Sequence, residues 1–92
     1  MAYSDNGDMD QALEQYNIVL NSNPNLPQTH HNMGRIYLQK GDWEKAESHF
    51  LKAISLRSNF FPSYGALAEL YYKKGDLQKA EEYKKKLREL TQ

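Results

Sequence analysis

The pair Gly-Asp recurs at Gly7-Asp8, Gly41-Asp42 and Gly75-Asp76, always 34 residues apart. Other positions keep the same beat. Tyr3, Tyr37 and Tyr71 stand four residues before each glycine, and Ala12, Ala46 and Ala80 stand five after it. A period of this length marks a supersecondary unit that cannot bury its apolar face alone and stacks on its neighbours. Such a chain is an array, and each element must be read against its equivalent one period away.

Each period holds two amphipathic segments. Trp43, Ala46, Phe50, Ala53, Ile54 and Leu56 follow Gly41 with helical three-and-four spacing. Met33, Ile36 and Tyr37 form a second stripe before it, and Leu67, Leu70, Tyr71 and Tyr72 do the same before Gly75. No segment alternates with a period of two, so no strand is expected. Glycine ends a helix by taking positive φ without a Cβ penalty. The Asp after it accepts bonds from the free N–H groups of the next helix. Gly-Asp therefore predicts a tight reversal, and Asp8 with Gln11 resembles a capping box. Asn23 to Pro27 and Ser58 to Pro62 form looser junctions, with Pro27 suited to a first helical position. Helices are expected over 8–22, 27–39, 42–56, 61–73 and 76–90. Small residues at Ala12, Ala46, Ala53, Ala66, Ala68 and Ala80 permit close helix approach beside the large Tyr16, Trp43, Phe50 and Tyr71.

The composition excludes several function classes. There is no cysteine, so disulfides and thiolate chemistry are out. No apolar run approaches the roughly 20 residues that span a bilayer, and the N-terminus has no signal-peptide pattern. A cytoplasmic location without membrane contact is the expectation, although a cysteine-free chain also suits the periplasm. Residues 1–34 carry Asp5, Asp8, Asp10 and Glu14 and no Lys or Arg, whereas residues 35–92 hold all twelve basic residues against eight acidic ones. Lys84-Lys85-Lys86-Leu87-Arg88 is interleaved with Glu81, Glu82 and Glu89 and lacks a stacking platform, so it reads as a solvated face and not a nucleic-acid site. His30 and His31 point about 100° apart on a helix and cannot act as an i, i+4 metal pair. With no nucleophile constellation and no phosphate loop, neither catalysis, nor a metal, nor a cofactor is expected.

The period, the Gly-Asp turn, the Ala after it and the Tyr before it resemble the tetratricopeptide repeat family. The best-matched unit runs from Pro27 to Ser58, with Met33-Gly34, Tyr37, Gly41, Ala46, Phe50 and Ala53 at the family's positions. His30 departs from it where Trp is frequent and is expected to fill that slot inside the hairpin. Ser58 departs where Pro is usual, and Ala68 replaces Gly in the last unit. The resemblance implies an all-α fold of antiparallel helix-turn-helix repeats stacked as a short right-handed superhelical solenoid. It implies about two and a half repeats, the C-terminal part of a longer array. Residues 1–92 would form one domain, with a truncated first repeat over 1–26, a second over 27–60, and a third with a capping helix over 61–92. Lys84 marks the cap, since Tyr16 and Phe50 hold its place earlier.

The resemblance also implies a function: a non-catalytic scaffold for protein partners that binds a peptide segment or helix in a concave groove. Carried onto this chain, the groove residues are Gln28, His31, Asn32, Arg35, Gln39, Ala66, Glu69, Tyr72 and Lys73. Asn32 would grip a peptide amide and Arg35 a carboxylate. The two-carboxylate clamp of some family members is not reproduced, because Pro62 and Ala66 stand where its Lys and Arg would lie. Two alternatives remain open. One is self-association through a stripe of Met9, Leu13, Tyr16 and Leu20 left uncovered at the N-terminal edge. The other is the regulatory array of a larger enzyme.

Overall fold

The structure is a computed structural model and describes residues 5–92. Five helices follow one another: α1 (Asp5–Ser22), α2 (Pro27–Lys40), α3 (Trp43–Leu56), α4 (Phe61–Lys74) and α5 (Leu77–Thr91). Among the described residues there is no strand. Helices α2 and α3 form one hairpin and α4 and α5 a second, while among the described residues α1 packs only on α2. This is the stacked helical-repeat architecture expected from the period.

The two later Gly-Asp pairs act as the sequence predicts. Gly41 and Gly75 both take φ of 85°. Asp42 N–H donates to the Tyr37 carbonyl at 2.9 Å and Gly41 N–H to that of Leu38 at 3.1 Å; Asp76 and Gly75 repeat both bonds to Tyr71 and Tyr72. This double bond pattern satisfies the last carbonyls of each helix. Asp42 then accepts from the Lys45 N–H at 3.3 Å and Asp76 from that of Lys79 at 3.1 Å, opening α3 and α5. Pro27 and Pro62 sit in the first turns of α2 and α4, where a missing N–H costs nothing.

The first Gly-Asp pair behaves differently. Helix α1 begins at Asp5 and runs straight through Gly7 and Asp8. The expected cap and capping box at Asp8 and Gln11 do not form there. Glycine inside a helix costs only about 1 kcal/mol relative to Ala, so Gly7 alone does not compel a turn. At Gly41 and Gly75 the turn brings α2 onto α3 and α4 onto α5. Tyr3, the tyrosine expected before this turn, lies outside the described residues.

The core lies between the hairpins. Phe50, Leu67, Leu70, Ala46 and Ala53 are fully buried, and Leu38, Ala66, Tyr71 and Ala80 are nearly so. Tyr37, Trp43, Ile54 and Tyr83 pack around them. Gly34 has a steric reason: a Cβ there would lie 2.6 Å from Phe50 Cε1. In the second hairpin Lys84 stands at the equivalent of Phe50 and Ala68 at the equivalent of Gly34. No helix of the described residues is long and apolar enough to cross a membrane.

Candidate interaction face

Helices α2 and α4 lie side by side, and residues three and four apart on each share a face. Arg35 and Glu69, one period apart in sequence, meet there, with Arg35 Nη1 3.3 Å from Glu69 Oε1 and both side chains about half exposed. Gln28 donates through Nε2 to Asn32 Oδ1 at 2.9 Å, an i, i+4 amide pair on the same helix. The groups expected to grip a ligand are therefore engaged with each other. An exposed ion pair holds its partners by less than about 1 kcal/mol, so Arg35 can be turned outward at little cost.

His31 has a different position from the one expected. Its Nδ1 lies 2.9 Å from the hydroxyl of the fully buried Ser63. Its ring packs against Phe50 and Phe60 at centroid distances of 5.4 and 5.6 Å. Burial, reinforced by the Arg35 guanidinium, lowers its pKa from 6.5 to about 4. It is a neutral residue in the seam between α2 and α4. Ala66 is corrected outright: it is 3% exposed and belongs to the core cluster, so it offers a partner no surface. A small residue one turn from Ser63 and Leu70 is drawn in by the same close approach that its size permits.

Gln39, Tyr72 and Lys73 are exposed, and their side chains have no partner among the described residues. Tyr72 is 67% exposed, whereas its equivalent Leu38 is 7% exposed beneath the second hairpin. The difference is one of neighbours: Leu38 lies in the core cluster with Ala66, Leu67 and Leu70 of α4, and among the described residues no further hairpin covers Tyr72.

The N-terminal stripe is also corrected. Leu13 is buried and Met9, Tyr16 and Leu20 are half-buried. In a stacked array the second helix of one unit packs on the first helix of the next, as α1 packs on α2 here. Lys40 Nζ holds Asp10 Oδ1 at 2.7 Å across that junction. The large apolar residues that α1 leaves exposed are Ile18 and Val19.

Position-by-position reading of single helices missed a cluster behind this face. His30 is 8% exposed and fills the slot expected of it. Its ring stacks on His49 at 5.5 Å, and His49 stacks on Tyr37 at 5.5 Å. One period on, Tyr64, Tyr83 and Tyr71 occupy the same three places, with Tyr71 and Tyr83 parallel within 2°. The 34-residue register carried this signal, since His30, Tyr37 and His49 map onto those tyrosines one by one. The Tyr71 hydroxyl also donates to Glu47 Oε2, joining α4 to α3. Among the described residues no group of three or more His, Cys, Asp or Glu converges to hold a metal ion.

Comparison with known proteins agrees with this architecture. The tetratricopeptide repeat model matches residues 1–59 and again 25–92, together spanning the chain. No curated protein sequence gives a match. Among solved structures, a crystal structure of MamA superimposes with a TM-score of 0.86 at 24% identity, covering 90% of this chain and 48% of that one. MamA from Desulfovibrio magneticus RS-1 gives 0.83 at 23%, covering 90% and 47%. A MamA MSR-1 structure gives 0.82 at 26%, covering 90% and 48%. The chain thus spans about half the length of the MamA chains it resembles. A period of 34 residues, two identically capped hairpins and a family match along the whole length agree: this chain belongs to the tetratricopeptide repeat family, whose arrays serve as protein-interaction scaffolds.

Proposed function

We propose that the chain is a non-catalytic scaffold that binds a peptide segment or helix on the face shared by α2 and α4. The observation that carries this reading is the set Gln39, Tyr72 and Lys73, exposed and without side-chain partners, beside the weak Arg35–Glu69 pair. An aromatic ring at 67% exposure and a free ammonium within one turn suit a partner with an apolar side chain and an acidic group. Asn32 and Arg35 add polar contacts once released from Gln28 and Glu69. The core residues beneath stay fixed, so binding costs little reorganisation.

The test is a screen of extended and helical peptides of defined charge, followed by titration of the best binder. The double change Asn32→Ala and Arg35→Ala, or Tyr72→Ala with Lys73→Ala, should weaken binding about tenfold or more and leave the helical circular dichroism unchanged. Unaltered affinity in both variants would remove this face from consideration. A second reading, self-association through α1, draws on the 56% exposure of Ile18 and 41% exposure of Val19. It requires a sedimentation coefficient that rises with concentration and stops rising in Ile18→Glu.

A further inference from the structure

The hydrogen bonds of His30 determine where its protons lie. His30 Nε2 is 3.1 Å from the Pro24 carbonyl oxygen. A carbonyl only accepts, so Nε2 carries the hydrogen, and in the neutral ring Nδ1 is left as an acceptor. That Nδ1 is 3.3 Å from His49 Nδ1. His49 must then supply the hydrogen of this second bond, which leaves its own Nε2 bare. The chain of bonds runs from His49 through His30 to Pro24, in the linker between α1 and α2. One period on, the Tyr64 hydroxyl donates to the Ser58 carbonyl at 2.8 Å. Ser58 is the equivalent of Pro24 and Tyr64 of His30, so both hairpins tie down the linker before them in the same place with different chemistry.

We propose that His30 and His49 form an acid-labile clasp fastening the α1–α2 linker to the first hairpin, while Tyr64 fastens the next linker with a group that acid does not touch. The proton count makes the distinction. The first added proton goes to the bare Nε2 of His49, and the Nδ1–H···Nδ1 bond survives as a charge-assisted one. A second proton has only His30 Nδ1 to occupy. It sets N–H against N–H at the same short distance, between two cations, and the pair must part. A phenolic hydroxyl keeps its proton throughout the acid and neutral range.

The surroundings do not offset the added charge. On α3, Lys45 lies over the Tyr37 ring that stacks on His49, and Lys52 lines the open recess of about 420 Å³ beside both histidines. Of the carboxylates on the packed helices, Asp10 of α1 pairs with Lys40, Asp42 with Lys45, Glu47 of α3 with Tyr71 and Glu69 of α4 with Arg35; Asp8 and Glu14 of α1 and Glu44 of α3 are exposed, and none of them lines the recess beside the two histidines. Burial, His30 and Lys45, in that order, hold the His49 pKa below its ordinary value. The folded hairpin thus takes up protons less readily than the opened one, and its clasp is secure above about pH 6.5 and loosens as pH falls below that. Opening frees Pro24 and slackens the linker that joins α1 to the first hairpin, leaving α1 held on α2 by its own packing and by the Lys40–Asp10 pair.

Two measurements on the full chain test this. Long-range proton–nitrogen NMR correlations at pH 7.5 should show His30 as the Nε2–H tautomer and His49 as the Nδ1–H tautomer; His49 in the Nε2–H form would overturn the clasp. Hydrogen exchange is then followed from pH 7.5 to 4.5, corrected for intrinsic rates, in a His31→Gln background that removes the other titrating seam residue. The linker at 23–27 and the first turn of α2 should open more readily than the linker at 58–62, by up to about tenfold per pH unit for each extra proton. Replacing His30→Tyr with His49→Tyr, the pair the second hairpin uses, should abolish that difference. His49→Phe alone, which keeps a ring against Tyr37, should do so as well if the double variant does not fold. Matching pH profiles for the two linkers in the His31→Gln protein, or an unchanged difference in the variants, would also overturn the proposal.

Discussion

The two hairpins share one backbone plan and fill it with different side chains. Both end their first helix on glycine at φ 85° and open their second with an Asp cap. Inside that frame His30, Tyr37 and His49 give way to Tyr64, Tyr71 and Tyr83, Phe50 to Lys84, Gly34 to Ala68, and Leu38 to Tyr72. The first hairpin is covered by the second, so its Phe50 is 0% and its Leu38 7% exposed. The second meets no later hairpin among the described residues, and at the same places it presents lysine and an exposed tyrosine. In these two hairpins the shared register sets the backbone, and the presence of a covering neighbour sets the side chain.

The comparison breaks most visibly at Phe50. Phe50→Ala should destabilise the fold by about 3–5 kcal/mol, the usual cost of emptying a close-packed aromatic site, whereas Lys84→Ala should change it by no more than about 0.5 kcal/mol. Urea denaturation of the two variants measures both, and similar losses would show that the hairpins are not distinguished by their place in the array. A smaller contrast lies at the glycine facing that ring. Gly34→Ala meets Phe50 at 2.6 Å and should cost about 1–3 kcal/mol through forced repacking. Ala68→Gly should cost about 1–2 kcal/mol, from helix propensity and the loss of one buried methyl group. If thermal melting ranks Ala68→Gly as the worse change, the steric account of Gly34 is wrong.

The smallest effect is one of pH. His31 is held near pKa 4 in the folded chain against 6.5 unfolded, so between those values the unfolded state binds more protons. Its contribution to stability is complete above pH 6.5 and is lost as pH falls toward 4. Its counterpart Gly65 cannot titrate. The drop in urea midpoint between pH 7.5 and 4.5 should therefore shrink in His31→Gln. Half-exposure and salt screening keep the effect modest, and an equal drop in both proteins would place the titration elsewhere.

Much of this frame was legible in the sequence because backbone demands are local. Gly41-Asp42 and Gly75-Asp76 announce their caps within three residues, and Pro27 announces a helix start. Gly7-Asp8 misled because glycine permits a left-handed turn without requiring one. The face shared by α2 and α4 was less legible. Periodicity says that Arg35 and Glu69 hold equivalent positions, but not that their side chains reach one another. Nor does it say that His31 turns to Ser63 or that Ala66 sinks into the core. Those outcomes depend on helix separation, which no single helix encodes. The stripe of Met9, Leu13, Tyr16 and Leu20 was expected to lie uncovered, whereas Leu13 is buried and the other three are half-buried.

The cluster around Tyr71 carries an optical consequence. Trp43, the single tryptophan of the chain, packs at the start of α3 in the first hairpin. The stacked Tyr71 and Tyr83 belong to the second, and the bond from Tyr71 to Glu47 joins the two halves. Indole emission and phenol absorbance therefore watch different ends of one array. Because one apolar core carries both Trp43 and Tyr83 on its edge, the two signals should describe a single transition.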